Sequence, residues 1–301
     1  MPAGLTSHDC VNRLRKVFSI KKVGHGGTLD PSVTGVLPIA IGNATRLIPY
    51  LQGSKAYMGT IQLGANTNTD DMQGKIIESK SWPKISTNNI NNLLESFRGE
   101  ILQKPPLFSS VHVQGERAYK KARRGEEFQL IPKKITIKKL KLISWCQKKG
   151  ELVIDVECSK GTYIRSLARD IGANIGCGAY LKKLRRTKAY SFNENHSVLL
   201  PEKLEYYPES LKPKMLNPED FLQHLSTFKL NSEEELISWR SGRKIDFQKN
   251  FERINSTKND DDNISENKNI LVLNQKDNIA GIANLDESLI IKPKVVFNAI
   301  G

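Results

Sequence analysis

Six segments of the chain have the residue pattern expected of helices. In the first, Val11, Leu14 and Phe18 recur at helical spacing, and Ser86 and Thr87 provide a start signal for the third. The predicted helices span residues 8–18, 43–51, 88–97, 162–174, 179–186 and 233–239.

Shorter apolar runs between these segments predict β-strands. The predicted strands span residues 36–41, 56–63, 135–145, 151–157, 270–273, 279–283, 289–291 and 295–297. The predicted loops span residues 24–35, 65–74 and 104–108, and the polar stretch 255–268 is predicted to be a disordered loop. Strands and helices together predict a mixed fold, and no repeat of fixed period is present.

The composition changes after about residue 192, where four prolines follow one another at short intervals up to Pro218. This change is typical of a connection between domains, and 301 residues exceed the size of one average domain. We therefore predict a first domain over residues 1–192, a linker with a helical connection over residues 193–228, and a small β-rich domain over residues 229–301.

Positive charge is concentrated in the first part of the chain. Residues 1–190 contain 32 Lys and Arg against 14 Asp and Glu, whereas residues 191–301 contain 14 against 18. Three basic clusters are formed by Arg117, Lys120, Lys121, Arg123 and Arg124, by Lys133, Lys134, Lys138, Lys139 and Lys141, and by Lys182, Lys183, Arg185, Arg186 and Lys188. This distribution favours a phosphate backbone as partner, although ordinary solubilising charge is the alternative.

The remaining composition indicates a soluble, cytoplasmic protein. No apolar run approaches the ~20 residues that span a bilayer, and residues 1–9 lack the pattern of a signal peptide. The four cysteines are far apart, without the spacing of a zinc site or the density of a disulfide scaffold. No metal site and no membrane association are therefore expected.

The glycine-dense segment 24–35 contains a single carboxylate, Asp30, followed by Pro31. Glycine allows backbone conformations that other residues avoid, and Pro31 restricts both its own φ and the conformation of Asp30. Such a loop can hold a carboxylate rigidly against a ligand. The residues alone leave two interpretations open, because Asp before Pro stabilises turns at least as often as it serves in catalysis.

The segment from Gly24 to Gly35 reads Gly-His-Gly-Gly-Thr-Leu-Asp-Pro-Ser-Val-Thr-Gly and resembles the signature of the bacterial TruB family of pseudouridine synthases. Members of this family convert uridine to pseudouridine in the T loop of tRNA. Further motifs follow in the family's order, namely Pro2-x-Gly4-x-Thr6-Ser7, Ala44-Thr45-Arg46, Lys55-x-Tyr57, the segment from Cys158 to Arg165, and Leu184-Arg185-Arg186. The resemblance covers residues 2–192.

The resemblance implies an α+β fold with a mixed, largely antiparallel central sheet flanked by helices and loops, and a small C-terminal PUA-like domain. It also implies that the chain isomerises uridine 55 in the T arm of tRNA, without a cofactor and without an obligatory protein partner, as a monomer. Family members usually begin with a short strand and a Lys-Pro pair, whereas Met1 stands where that lysine is expected, so the first strand is expected to be missing.

Site residues are implied by the same resemblance, position by position. Asp30 corresponds to the essential aspartate, Tyr57 to the residue that stacks on the target base, and Arg165 to the partner of the aspartate. The other implied contacts are Tyr163 and Leu184, which line the uracil pocket, and His25, which helps to hold the flipped-out nucleotides.

Three other functions are compatible with parts of this sequence. A non-catalytic tRNA-binding or tRNA-folding protein would also need a basic surface, and a guide-RNA-dependent pseudouridine synthase would share the aspartate loop. A glycosidase normally needs two carboxylates, for which Asp70 and Asp71 form the nearest acidic pair. Their polar neighbours predict a solvated loop or an RNA contact for this pair.

Overall fold

The computed structural model describes residues 1–200, 215–246, 254–255, 268–285 and 290–300. The chain divides into two compact units, each built from separate stretches of sequence. The first unit comprises Met1–Cys10, Gly27–Pro38 and Gly53–Lys203, and the second unit comprises Val11–Gly26, Ile39–Gln52 and Leu204–Gly301. Residues 11–26 and 39–52 thus belong to the second unit, a grouping that the predicted domains do not anticipate. The domain boundaries at residues 192 and 229 stay a prediction.

Five α-helices and nineteen β-strands are present in the described residues. The helices are α1 (Ser7–Phe18), α2 (Thr87–Ser96), α3 (Ala118–Arg123), α4 (Ile164–Ile175) and α5 (Glu233–Arg240). Short 3-10 helices cover Gly42–Tyr50, Glu194–His196 and Pro218–Phe221. The strands are β1 (Val23–His25), β2 (Thr34–Gly35), β3 (Ile39–Ile41), β4 (Lys55–Leu63), β5 (Ala65–Thr67), β6 (Ile76–Ser79), β7 (Gly99–Gln103), β8 (His112–Val113), β9 (Glu116–Arg117), β10 (Lys133–Cys146), β11 (Glu151–Cys158), β12 (Ala179–Ala189), β13 (Phe192–Asn193), β14 (Ser226–Lys229), β15 (Ile245–Asp246), β16 (Ile254–Asn255), β17 (Lys268–Leu273), β18 (Ile279–Leu285) and β19 (Ile290–Val296).

A seven-stranded sheet forms the centre of the first unit, in the order β13-β12-β4-β11-β10-β7, with β2 paired to β12. All pairs are antiparallel except the parallel pair of β2 with β12. Alternate residues of β11, such as Leu152, Ile154 and Val156, are fully buried, and the same core contains Ile90 of α2 and Leu167 of α4. The predicted mixed, largely antiparallel sheet is confirmed.

The prediction of a helix over residues 179–186 was wrong, because this segment is the strand β12. Its pairing with β4 contains two irregularities, at Lys182 and at Thr187, where β12 has one extra residue. Leu181 and Leu184 therefore lie three residues apart although both contribute to the core. The bulge at Lys182 thus gives a strand the apolar spacing of a helix, and pairing along β4 determines its conformation.

Several other elements differ from the prediction in kind or extent. Residues 65–74, predicted as loop, begin with β5, which pairs with β6, and β6 is exposed at every position. A strand without a buried face has no alternating pattern to detect. The segment predicted as a helix at 43–51 is a 3-10 helix that contains Pro49. The predicted strands at 289–291 and 295–297 correspond in the described residues to one strand, β19, which contains Pro293.

The second unit contains a six-stranded sheet in the order β15-β19-β18-β17-β14-β16. Its core includes Phe228, Trp239 and Val272, and the Trp239 indole donates a hydrogen bond to the carbonyl of Ala280 at 2.9 Å. The predicted β-rich character of the C-terminal residues is confirmed. Apart from its two ends, the loop predicted at 255–268 lies outside the described residues. No helix in the described part of the chain is long and apolar enough to cross a membrane.

Ser86 caps helix α2, and its side-chain oxygen accepts a hydrogen bond from the backbone N–H of Asn89 at 3.2 Å. We expect Ser86→Ala to lower the free energy of unfolding by about 1 kcal/mol, because this N–H loses its acceptor. Urea unfolding measures the change. Asn88→Ala is the control, since Asn88 is exposed within the same helix and alanine favours helix formation there. Equal destabilisation by both variants would contradict the capping role.

Candidate active site

The segment that carries Asp30 is held in place on both sides of this residue. The backbone N–H of Leu29 donates to the Ser7 hydroxyl at 2.9 Å, and the N–H of Val33 donates to the carbonyl of Asp30 at 2.9 Å. Leu29 and Val33 are both buried in the main core of the first unit. The carboxylate itself remains reachable, because the Asp30 side chain is 43% exposed. A fixed backbone and an open carboxylate suit a group that reacts with a bound molecule.

Arg165, in the first turn of α4, contacts the Asp30 carboxylate, with Nε 3.1 Å from Oδ2. Its side chain is only 9% exposed. The guanidinium also donates to the carbonyls of Thr69, at 3.2 Å, and Phe108, at 3.1 Å. These contacts fix the direction from which the positive charge approaches Asp30.

Asp71 lies on the other side of the same guanidinium, with Oδ2 3.7 Å from Arg165 Nη1. Its other oxygen accepts hydrogen bonds from the Thr69 hydroxyl at 2.6 Å and from the N–H of Gln73 at 3.0 Å. Asp70 pairs with Arg169, also of α4, at 2.8 Å. The side chains of Asp70 and Asp71 are only 14% and 13% exposed, so the first of the two predicted alternatives, a solvated loop, was wrong. The second, an RNA contact, stays a prediction. The two carboxylates hold this loop against α4 through their ion pairs with Arg165 and Arg169.

The pKa of Asp30 is raised above its ordinary value, chiefly because burial disfavours the charged form. The positive charge of Arg165 lowers it and the negative charge of Asp71 raises it, without reversing the net direction. The charge of Arg165 thus counters the effect of burial on this pKa only in part. Asp30 is therefore a stronger proton acceptor than an aspartate in open solvent.

Tyr57 lies on the central strand β4, between Val156 of β11 and Arg186 of β12. It is 7% exposed, and burial raises the pKa of its phenol to about 12. Interaction with the Arg186 guanidinium lowers the pKa of this phenol without reversing the effect of burial, and the negative charge of Asp30 raises it. Tyr57 is thus a neutral, well-anchored aromatic side chain near the carboxylate, with only a small exposed surface.

Tyr163 immediately precedes α4, two residues before Arg165. The Gln103 amide holds its backbone on both sides, accepting from the Tyr163 N–H at 2.9 Å and donating to the Tyr163 carbonyl at 3.1 Å. The pKa of the Tyr163 phenol is raised, chiefly by burial, and the negative charge of Asp30 raises it further. Leu184 of β12 is half-buried opposite Gly59 of β4 and packs against the main core.

Arg186 was counted among the phosphate-binding residues of the third basic cluster, and this interpretation was wrong. The residue is fully buried, with 0% exposure. Its guanidinium donates to the carbonyls of Gly27, Thr28 and Val36, which lie on the two sides of Asp30 in the sequence. A buried side chain cannot reach an RNA backbone, and its contacts show that it supports the aspartate segment.

Two family models match the chain consecutively. The model described as "TruB family pseudouridylate synthase (N terminal domain)" matches residues 15–164, and "tRNA pseudouridylate synthase B C-terminal domain" matches residues 165–222. A "tRNA pseudouridine synthase B" of Prochlorococcus marinus (strain NATL1A) is 74% identical over 302 residues, covering 100% of this chain and 96% of the relative. The chain belongs to the TruB family. A protein with the same description from Synechococcus sp. (strain WH7803) is 46% identical, with the same coverage of both chains.

Solved structures share the TruB fold seen here at low sequence identity. A chain in the "Crystal Structure of a Cbf5-Nop10-Gar1 Complex" superimposes with a TM-score of 0.72 and 22% identity, covering 99% of this chain and 83% of that one. A chain in the "Structure of H/ACA RNP bound to a substrate RNA containing 2'-deoxyuridine" gives 0.70 and 22%, with the same coverage. These likenesses confirm the fold of the TruB chain.

Five of the six predicted site residues belong to the first unit of this TruB chain, and His25 belongs to the second. His25 is the last residue of β1 and pairs with Ile39 of β3. The predicted contact of His25 with flipped-out nucleotides stays a prediction. Gln103, Asp71 and Arg186 were missed as parts of the site, because their partners lie far away in the sequence and only the fold brings them together.

The basic clusters of the TruB chain are partly paired with acidic residues. Arg124 pairs with Glu116 and Glu126, and Lys139 pairs with Asp155 at 2.5 Å. In the third cluster Lys182, Arg185 and Lys188 pair with Glu151, Glu194 and Glu157 respectively. All of these acids except Glu194 lie within residues 1–190, so they are already counted in the net excess of positive charge over that range. Pairing does reduce the number of lysines and arginines that can contact phosphate directly.

Proposed function

We propose that this chain isomerises uridine 55 in the T loop of tRNA to pseudouridine, with Asp30 as the catalytic carboxylate. The observation that carries the proposal is the contact of the half-exposed Asp30 carboxylate with the buried Arg165 guanidinium, 3.1 Å away. The charge of the same carboxylate influences the pKa values of Tyr57 and Tyr163. Membership of the TruB family supports the proposal, and so does the name of the 74% identical relative, "tRNA pseudouridine synthase B".

The reaction breaks the bond from uracil N1 to the sugar carbon C1′ and forms a bond from C5 to C1′. N1 gains a proton and C5 loses one, so atoms and electrons balance without an oxidant or a reductant. The chemistry needs a carboxylate that can attack or stabilise an electron-poor carbon, in a pocket that retains the detached uracil. The Asp30 carboxylate is accessible, whereas the side chains of Arg165 and Asp71 are only 9% and 13% exposed.

The target base has to leave its stack before it can reach Asp30, which costs a few kcal/mol. We assign the stacking contact to Tyr57, since an aromatic face returns about 1–3 kcal/mol per base. Tyr163 and Leu184 line the pocket of the base, and His25 holds the neighbouring flipped-out nucleotides. The positive excess of residues 1–190 attracts the phosphates of the T arm.

The rival functions are less well supported. A glycosidase would need a second carboxylate with a free oxygen, but both oxygens of Asp71 already have partners. The H/ACA and Cbf5 structures share the fold at 22% identity, which does not transfer a guide-RNA requirement to this chain. Non-catalytic RNA binding would not explain why a carboxylate with a raised pKa is kept accessible next to an arginine.

Incubation of the purified protein with a naked T-arm hairpin, followed by mapping of pseudouridine, tests the proposal. We expect conversion at the position of uridine 55 and at no other uridine, with no added RNA or protein. A hairpin with cytidine at that position is the control and should stay unmodified. Conversion only after addition of a guide RNA would favour the guide-dependent function. Binding of tRNA without any conversion would favour the non-catalytic one.

A further inference from the structure

We infer that Arg186 is a positioning residue of the active site, whose buried guanidinium fixes the Asp30 segment and the Tyr57 ring relative to each other. The inference rests on the proposed function, in which Asp30 reacts and Tyr57 contacts the base. It concerns a residue that does not contact the carboxylate, and whose place in the third basic cluster first suggested a contact with phosphate.

The guanidinium of Arg186 holds the Asp30 segment through three backbone carbonyls. Nη2 donates to Gly27 at 3.0 Å, Nη1 to Thr28 at 3.3 Å, and Nε to Val36 at 2.7 Å. Two of these carbonyls precede Asp30 and one follows it, so one rigid fork spans the segment. Displacement of this side chain therefore moves the backbone on both sides of the carboxylate.

A second connection between the same segment and β12 does not depend on the Arg186 side chain. The N–H of Val36 donates to the Arg186 carbonyl at 2.8 Å, and Gly35 pairs with Arg186 in the parallel ladder. Gly35 has a φ of +115°, and a Cβ at this position would lie 2.1 Å from the Arg186 carbonyl oxygen. The backbone contact should keep the segment docked when only the side chain is changed, so that a variant loses alignment before it loses the fold.

Tyr57 lies opposite Arg186 in the pairing of β4 with β12, and its phenol and the Arg186 guanidinium each shift the pKa of the other. The same side chain thus holds the segment of the reacting carboxylate and interacts with Tyr57. Within the part of the chain that the structure describes, no carboxylate lies within 4.0 Å of the Arg186 guanidinium. A buried charge that has only carbonyls and a phenol as partners is expensive to maintain. Alignment of the Asp30 segment with Tyr57 is a function that would explain why a charged Arg186 is kept in the core.

Arg186 differs from Arg165 in how it would act. Arg165 contacts the Asp30 carboxylate itself and changes its proton affinity. Arg186 contacts the carbonyls around Asp30, so its loss should reduce the rate of the bound complex more than it changes the pH dependence. This difference separates a positioning role from an electrostatic one.

Arg186→Lys tests the inference, since lysine keeps the charge but cannot span three carbonyls. We expect the single-turnover rate at saturating T-arm RNA to fall about 100-fold, as is typical of an ångström-scale misalignment. The dissociation constant for the RNA should change by less than about 3-fold, and the acid limb of the pH profile should stay in place. Arg98→Lys is the control, because Arg98 also donates to a strand carbonyl, that of Leu140 at 3.1 Å, but contacts no site residue.

Circular dichroism and melting curves establish the folded fraction at the assay temperature. A rate loss that equals the unfolded fraction, or a wild-type rate in folded Arg186→Lys, would overturn the inference. If Arg186→Lys does not fold, the inference is tested with Tyr57→Phe. This variant keeps the aromatic ring and removes the hydroxyl that interacts with Arg186. We then expect a rate about 10-fold lower at unchanged RNA affinity; an unchanged rate would refute the positioning role.

A double-mutant cycle adds a result that general destabilisation does not produce. Arg186→Lys should reduce the rate less in the Tyr57→Phe background than in the wild-type background, because both changes interrupt the same contact. Additive effects would count against a shared role. If the wild-type protein forms no pseudouridine, the proposed function itself is contradicted. The wild-type measurement is therefore distinct from the comparison of rates among variants.

Discussion

Asp30→Asn is expected to lower the rate of pseudouridine formation by at least about 10⁴-fold while leaving tRNA affinity within a few-fold of the wild type. Asparagine has nearly the shape of aspartate, and its side-chain oxygen can still accept a hydrogen bond from Arg165 Nε, which lies 3.1 Å from Oδ2 of Asp30. What the variant lacks is a negative charge that can attack or stabilise an electron-poor carbon. The change therefore separates chemistry from binding.

The measurement is a single-turnover assay with T-arm RNA, together with a direct titration of RNA binding. Asp155→Asn is a matched control in the same unit, because Asp155 pairs with Lys139 on the sheet surface and contacts none of the proposed site residues. We expect this control to react at the wild-type rate. Pseudouridine formation by Asp30→Asn at a similar rate would exclude Asp30 as the catalytic carboxylate.

The raised pKa of Asp30 gives activity and stability opposite dependences on pH at this residue. Activity needs the ionised carboxylate, so it falls as the pH drops through the raised pKa, above the ordinary value of 3.8. The folded state binds the proton more tightly than the unfolded chain does. The resulting contribution to stability is complete below the unfolded pKa and is lost as the pH rises through the folded pKa.

The sequence predicts an element well where burial alone determines the spacing of its apolar residues. Strand β11 alternates strictly between buried and half-buried residues, and α2 begins with a Ser86 cap, so both were predicted closely. Strand β12 was assigned as a helix because the bulge at Lys182 changes its apolar spacing. Such bulges depend on the partner strand β4, whose position no local pattern reveals.

The candidate site divides in a similar way. Asp30 and Arg165 were identified through motifs that resemble a family. The two residues are 135 positions apart in the sequence, and the local residue pattern around each one does not predict their contact. Arg186 lies in a run of lysines and arginines, and composition cannot distinguish its buried side chain from an exposed one such as Arg185. Gln103 is a single polar residue at the end of β7, and its role became visible only through its two hydrogen bonds to Tyr163.

Arg165→Gln is expected to reduce both activity and stability. The glutamine amide cannot replace the contacts of the guanidinium with Asp30 and with the carbonyls of Thr69 and Phe108. Loss of a buried charged donor from such a network typically costs about 2–4 kcal/mol, with the lower part of this range appropriate because Asp30 is 43% exposed. Urea unfolding near neutral pH measures the loss of stability.

The pH profile of the same variant tests how Arg165 acts on Asp30. The positive charge lowers the pKa of Asp30 against the dominant effect of burial, so its removal should raise that pKa further. The acid limb of the single-turnover rate should then move to higher pH in Arg165→Gln. Arg165→Lys keeps the charge and should move the limb less, although it loses the fixed geometry of the fork.

Arg169→Gln is the matched control for this shift, since Arg169 lies one turn further along α4 and pairs with Asp70, which follows Thr69 in the same loop. The control should lose some stability but leave the acid limb where it is in the wild type, because Arg169 is not among the charges that act on Asp30. An equal shift in both variants would mean that loosening of the loop sets the pH dependence. An unchanged limb in Arg165→Gln would mean that the ionisation that limits the reaction belongs to another group.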